Sequence, residues 1–102
     1  MGWRPTAELQ ARLELEVAHK LDDFKAQELS NTLLAFASIQ RAPAAELQTS
    51  IDREVARRLG EFNTRDVQEV LRAYTLLEHV PDGDLLMLLE ERDRELNPGA
   101  HR

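Results

Sequence analysis

The sequence predicts an all-α protein, an α-solenoid of stacked antiparallel helix pairs built from two 38-residue repeats and half of a third, five helices in all. Three observations predict it. The chain superimposes on itself without a gap at an offset of 38 residues. Apolar residues recur at helical spacing throughout, and glycine and proline stand only at the ends and between the periodic stretches. At that offset Ala7-Glu8-Leu9-Gln10 falls on Ala45-Glu46-Leu47-Gln48, and Glu16-Val17-Ala18 on Glu54-Val55-Ala56. Leu21 falls on Leu59, Phe24 on Phe62, Leu33 on Leu71, Ala35 on Ala73, Phe36 on Tyr74 and Pro43 on Pro81. The first repeat spans about 6–43, the second about 44–81 and the partial third, a cap, about 82–97, with a frayed tail at 98–102.

The first helix, from about Thr6 to Leu21, carries Leu9, Leu13, Val17 and Leu21 on its apolar side, and Asp22-Asp23 break the pattern. The second, Ala26 to Gln40, carries Leu29, Leu33, Phe36, Ala37 and Ile39 and is stopped by Pro43. The third, Ala44 to Leu59, copies the first with Leu47, Ile51, Val55 and Leu59. Gly60 follows it where a helix C-terminus favours a residue free to take positive φ. The fourth copies the second: Asn63 and Asp66 have the spacing of a capping box, and Val67, Val70, Leu71, Tyr74 and Leu77 form the apolar side. After the turn Pro81-Asp82-Gly83, a fifth helix from Asp84 to Leu96 carries Leu85, Leu86, Leu88 and Leu89. Its register matches the third helix until Asp93 stands where Val55 stood, as suits a terminal cap facing water. Linkers of only a few residues make sequential helices antiparallel.

With 102 residues the chain makes one domain, and its formal charge of −6 argues against binding nucleic acid or membrane by bulk charge. Local basic faces survive that balance, because charges more than ~8 Å apart are screened at physiological salt. There is no cysteine, which excludes disulfides and thiolate metal sites. The longest apolar run, Leu85 to Leu89, is far short of the ~20 residues that span a bilayer. No signal or transit peptide is visible. Met1-Gly2 with Thr6 fits the loose myristoylation pattern, which is short enough to arise by chance.

The second helix carries more than periodicity. Phe24-Lys25-Ala26-Gln27-Glu28-Leu29-Ser30-Asn31-Thr32-Leu33-Leu34-Ala35-Phe36-Ala37 resembles the signature helix of the octotricopeptide repeat family, related to the helical-repeat regions of RAP-domain organellar proteins. That signature reads F-x-P-Q-E-L-(A/S)-N-T-L-W-A-(F/L)-A. Departures include Leu34 and Arg72 at the tryptophan position, and Gln68-Glu69 in place of Ser30-Asn31. The resemblance implies a helical-repeat module that associates with single-stranded RNA or a ribonucleoprotein in a mitochondrion or chloroplast. Similar proteins serve instead as structural subunits of organellar ribosomes, so the alternative is a protein–protein subunit of a large complex. Two and a half repeats also leave apolar ends for protein partners to cover, since solenoids generally need about three.

If RNA is bound, Arg53, Arg57, Arg65 and Arg72 are the candidate phosphate contacts. The competing reading is that they are solvated charges paired with Glu54, Glu61 and Glu69. Gln27 and Asn31, with Arg65 and Glu69 as their second-repeat counterparts, are the candidate base-facing residues, because amides offer both donor and acceptor. For Asn31 the alternative is a bond to the neighbouring helix that fixes the packing. Lys20 and Arg58 occupy equivalent last turns, where they complement the helix dipole. Phe24, Phe36, Phe62 and Tyr74 read as core, with the Tyr74 hydroxyl needing a partner or the surface. Trp3 reads as a cover for the first helix or an anchor for a partner. Catalysis, cofactor and metal find no support: His19, His79 and His101 lack ligand spacing and read as exposed, and the chain carries no phosphate-cradling glycine loop and no nucleophile elbow.

Overall fold

The computed structural model describes residues 6–97; Gly2, Trp3 and His101 lie outside them. Five α-helices follow in order: α1 (Ala7–Lys20), α2 (Ala26–Ser38), α3 (Ala45–Arg57), α4 (Thr64–Leu77) and α5 (Leu85–Leu96). Single 3-10 turns, Leu21–Asp23 and Leu59–Glu61, follow α1 and α3, and no strand is present among the described residues. The described chain is all-α, as the periodicity predicts.

The helix ends have local causes. Thr6 caps α1, its hydroxyl accepting from the Leu9 amide at 3.1 Å. Asn63 and Asp66 form the reciprocal box expected at the start of α4: the Asp66 amide donates to Asn63 Oδ1 at 2.9 Å and the Asn63 amide to Asp66 Oδ2 at 3.2 Å. The start of α3 has no such local cap. The amide of Ala44 donates instead to Glu14 on α1 at 2.5 Å, a contact between residues thirty apart in the chain.

Helix termination corrects the sequence reading. Gly60 does not take positive φ; it lies inside the second 3-10 turn. The left-handed residues are Gln40 (φ 56°), Glu78 (φ 54°) and Gly83 (φ 71°). Gln40 and Glu78 are equivalent by the repeat and close the same structure. After α2, the amides of Gln40 and Arg41 donate to the carbonyls of Ala37 and Phe36; after α4, those of Glu78 and His79 donate to Thr75 and Tyr74. Both are Schellman closures that hold a β-carbon in the αL region, at a cost of about 1–2 kcal/mol to a non-glycine residue. Glu78→Gly is expected to raise stability by about 0.5–1 kcal/mol, read as a higher urea midpoint at unchanged slope. A lowered midpoint would mean that the glutamate side chain contributes more than its backbone strain costs.

The most extensive interface joins α2 to α4; α4 also packs on α5, and α3 touches α1, α2 and α5. Leu29, Leu33, Ile51, Val55, Phe62, Val67, Val70 and Leu89 are fully enclosed between these helices. Equivalent positions of the two repeats are buried differently. Ser30 and Ala37 of α2 are buried while their counterparts Gln68 and Thr75 on α4 are exposed. Conversely Asp66 and Ala73 are buried on α4 while Glu28 and Ala35 are exposed on α2. One edge of α2 therefore meets the opposite edge of α4, and Ser30 Oγ lies 3.5 Å from Asp66 Oδ1 across that seam.

Two further expectations are corrected. Leu9 and Leu13 are each 39% exposed, not core, because among the described residues no helix stands beyond α1 as α1 stands beyond α3, whereas their counterparts Leu47 and Ile51 sit on α3 between α1 and α5. Asp93 does not face water; it is buried, since the register that turns Val55 inward turns Asp93 inward too.

Candidate nucleic-acid interface

The seven residues proposed from the sequence all stand on helices. Gln27 and Asn31 are exposed on α2, so Asn31 is not a packing residue here. Arg65 and Glu69 occupy the corresponding positions on the adjacent α4, one turn apart, and are joined at 2.9 Å. Arg65 projects into solvent, whereas the Glu69 side chain is only 16% exposed. Arg72 is exposed one turn further along α4.

The arginines of α3 have different surroundings. Arg57 grips Glu54 with two donors, at 3.0 and 2.7 Å. Arg53 lines an open groove between α3 and α5 together with Asp52, Asp82 and Asp84. Two of the four candidate phosphate contacts, Arg57 and Arg65, thus carry an intrahelical carboxylate, as the solvated-charge reading expects. The Glu54 carboxyl is held below its ordinary range, chiefly by the Arg57 hydrogen bond, with burial opposing and Arg58 adding to the effect.

Arg58, expected from its last-turn position to complement the helix dipole, is a clamp. Its guanidinium donates to Glu54 at 2.9 Å and to the backbone carbonyls of Asp22 and Phe24, at the end of the first repeat's 3-10 turn. Arg92 on α5 does the same one repeat later, donating to the carbonyls of Gly60 and Phe62 at 3.0–3.2 Å. Gly60 and Phe62 are the repeat counterparts of Asp22 and Phe24. The two arginines themselves are not counterparts: Arg92 matches Glu54, one turn earlier. Guanidinium reach absorbs that turn, which is why sequence equivalence did not reveal the pair. Lys20, by contrast, makes only an exposed pair with Glu16 at 3.1 Å.

A family model described as the Tbc2 translation factor, N-terminal domain, matches residues 5–98. The chain belongs to that family. No curated protein and no solved structure matches it.

This Tbc2-type domain also contains a polar cluster that the sequence reading did not find. His79, expected to be exposed, is 27% exposed at its side chain and meets Asp52 through Nε2 at 2.8 Å. Tyr74 donates its hydroxyl to Asp52 at 2.6 Å, Gln48 donates to the same oxygen at 2.9 Å, and the rings of Tyr74 and His79 stand edge to face at 5.3 Å. Burial, then the bond to Asp52, pushes the tyrosine hydroxyl well above its usual range, so it remains a protonated donor. The cluster ties α3 to the C-terminal end of α4. Its one legible signal is the pair of equivalent Gln-to-carboxylate spacings, Gln10–Glu14 and Gln48–Asp52, both of which form bonds. Among the described residues no group of three His, Cys, Asp or Glu side chains is placed to hold a metal, and no helix is long and apolar enough to cross a membrane.

Proposed function

We propose that this domain is a non-catalytic helical-repeat module that works with RNA or a ribonucleoprotein in translation within a mitochondrion or chloroplast. The observation that carries the reading is the translation-factor family match over residues 5–98. Two further observations support its finer parts. The 38-residue period and the α2 signature resemble octotricopeptide repeats. The opposite-edge burial of α2 and α4 is what a translational stack of repeats produces, and so supports the α-solenoid.

In this reading Arg57, Arg65 and Arg72 meet phosphates, while Gln27, Asn31 and Glu69 face bases; Arg53, set among Asp52, Asp82 and Asp84, is left out of the contacts. The test is binding to a pool of random single-stranded RNA across a salt series. Affinity is expected to fall with a log–log slope of about −0.7 per phosphate contacted. Replacing Arg57, Arg65 and Arg72 by alanine should remove binding, and unchanged affinity in that variant overturns the site. Absence of binding at any salt favours the second reading, a structural protein–protein subunit. That reading has its own observation: Leu9 and Leu13 on α1, and Leu76, Val80 and Met87 at the other end of the molecule, are large apolar side chains left exposed.

A further inference from the structure

The helices α1, α3 and α5 enclose two open grooves, one between α1 and α3 of about 430 Å³ and one between α3 and α5 of about 320 Å³. Every residue lining the first falls, at the 38-residue offset, on a residue lining the second. The surface therefore repeats with the sequence, one groove for each unit, and α3 forms the wall common to both.

The repeat keeps the shape and changes the chemistry. In the first groove Leu15, 60% exposed, stands with Leu47, Ala11 and Ala18 to make an apolar floor. In the second, Arg53 replaces Leu15 and Asp82 replaces Ala44, while Asp84 keeps the carboxylate of Glu46. Asp82 and Asp84 are exposed, and neither side chain makes a hydrogen bond or ion pair among the described residues. Across both grooves Glu14, Glu46, Asp52, Asp82 and Asp84 stand against the single cation Arg53. A phosphate backbone laid here would meet net negative charge, so this face does not suit nucleic acid.

The geometry points to a polypeptide partner: an extended segment that seats a large apolar side chain in the α1–α3 groove and a lysine or arginine in the α3–α5 groove, against Asp82 and Asp84. Packed helices stand about 8–10 Å apart, and a polyproline II segment, which rises about 3.1 Å per residue, returns its side chains to one face every third residue, so the two anchors are three residues apart. Apolar and ionic anchors set on alternate pockets are a usual way to give an extended peptide its specificity. This inference does not rest on RNA binding by the arginines.

The probe is a phage-displayed library of random linear peptides, selected on the full chain. Enriched sequences are expected to carry Leu, Ile, Met or Phe three residues from Lys or Arg. Leu15→Glu should weaken a selected synthetic peptide at least tenfold. Asp82→Asn with Asp84→Asn should abolish the preference for a basic residue while sparing the apolar one. All three positions are exposed, so circular dichroism should show the variants folded. Selection without that pattern, or a selected peptide indifferent to these substitutions, overturns the inference. So does a loss of random-RNA binding on Leu15→Glu, which would place nucleic acid on this face.

Discussion

Arg58→Ala is expected to cost about 2–4 kcal/mol, a large share of the stability of a domain this size. The arginine side chain is 13% exposed and Glu54 beneath it 11%, so the contact is nearly dry. Truncation strands the carbonyls of Asp22 and Phe24 and leaves the Glu54 carboxylate to Arg57 alone. Arg58→Lys should recover little, because one ammonium cannot reproduce a planar fork that spans two carbonyls and a carboxylate. Urea denaturation of the three proteins measures both effects, and a lysine variant as stable as the parent would show that charge alone suffices.

The same contact predicts a pH dependence. The carboxyl of Glu54 titrates lower in the folded protein than in the unfolded chain, where the ordinary value is about 4.3. Its stabilising contribution is therefore complete above that value and is lost as pH falls through the folded one. The stability gap between the parent and Glu54→Gln should be full at pH 7 and shrink below about pH 4. A gap that persists undiminished in acid would mean the glutamate acts by packing rather than charge.

Ala73→Glu and Ala35→Glu form the second pair, with the largest contrast. The two alanines are equivalent in the repeat and both belong to the signature. Ala73 is fully buried, and a glutamate there would bury an unpaired charge and overfill a packed site, costing more than about 3 kcal/mol. Ala35 is exposed, and the same change should fall within about 0.5 kcal/mol. Thermal melts of the two variants separate the outcomes. Equal penalties at both positions would contradict the edge-to-edge arrangement of α2 and α4, and with it the reading of the fold as a stack.

Where the cause is local, residue type and spacing suffice. The five helices, their order and most boundaries follow from apolar periodicity and from turn residues such as Pro81-Asp82-Gly83. The Asn63–Asp66 box spans three residues and was predictable as a pair. Gly60 misled because its composition signal is real but the chain closes α3 with a 3-10 turn, while the left-handed positions fell to Gln40 and Glu78, whose side chains advertise nothing. The candidate interface was legible only as polar helix positions, since its pairings, Arg65 with Glu69 and Arg57 with Glu54, are choices among several carboxylates within reach.

The sequence by itself determined the helices and the 38-residue register, because hydrophobic spacing and capping act over one or two turns. The tertiary structure alone decided which of two equivalent residues is inside. Ala35 and Ala73, or Leu9 and Leu47, are the same letters with opposite exposure, because burial depends on whether a neighbouring unit is present. It also decided which arginine is exposed and which clamps the preceding unit, since Arg58 and Arg92 reach equivalent carbonyls of successive units from different turns and only distance in space records that.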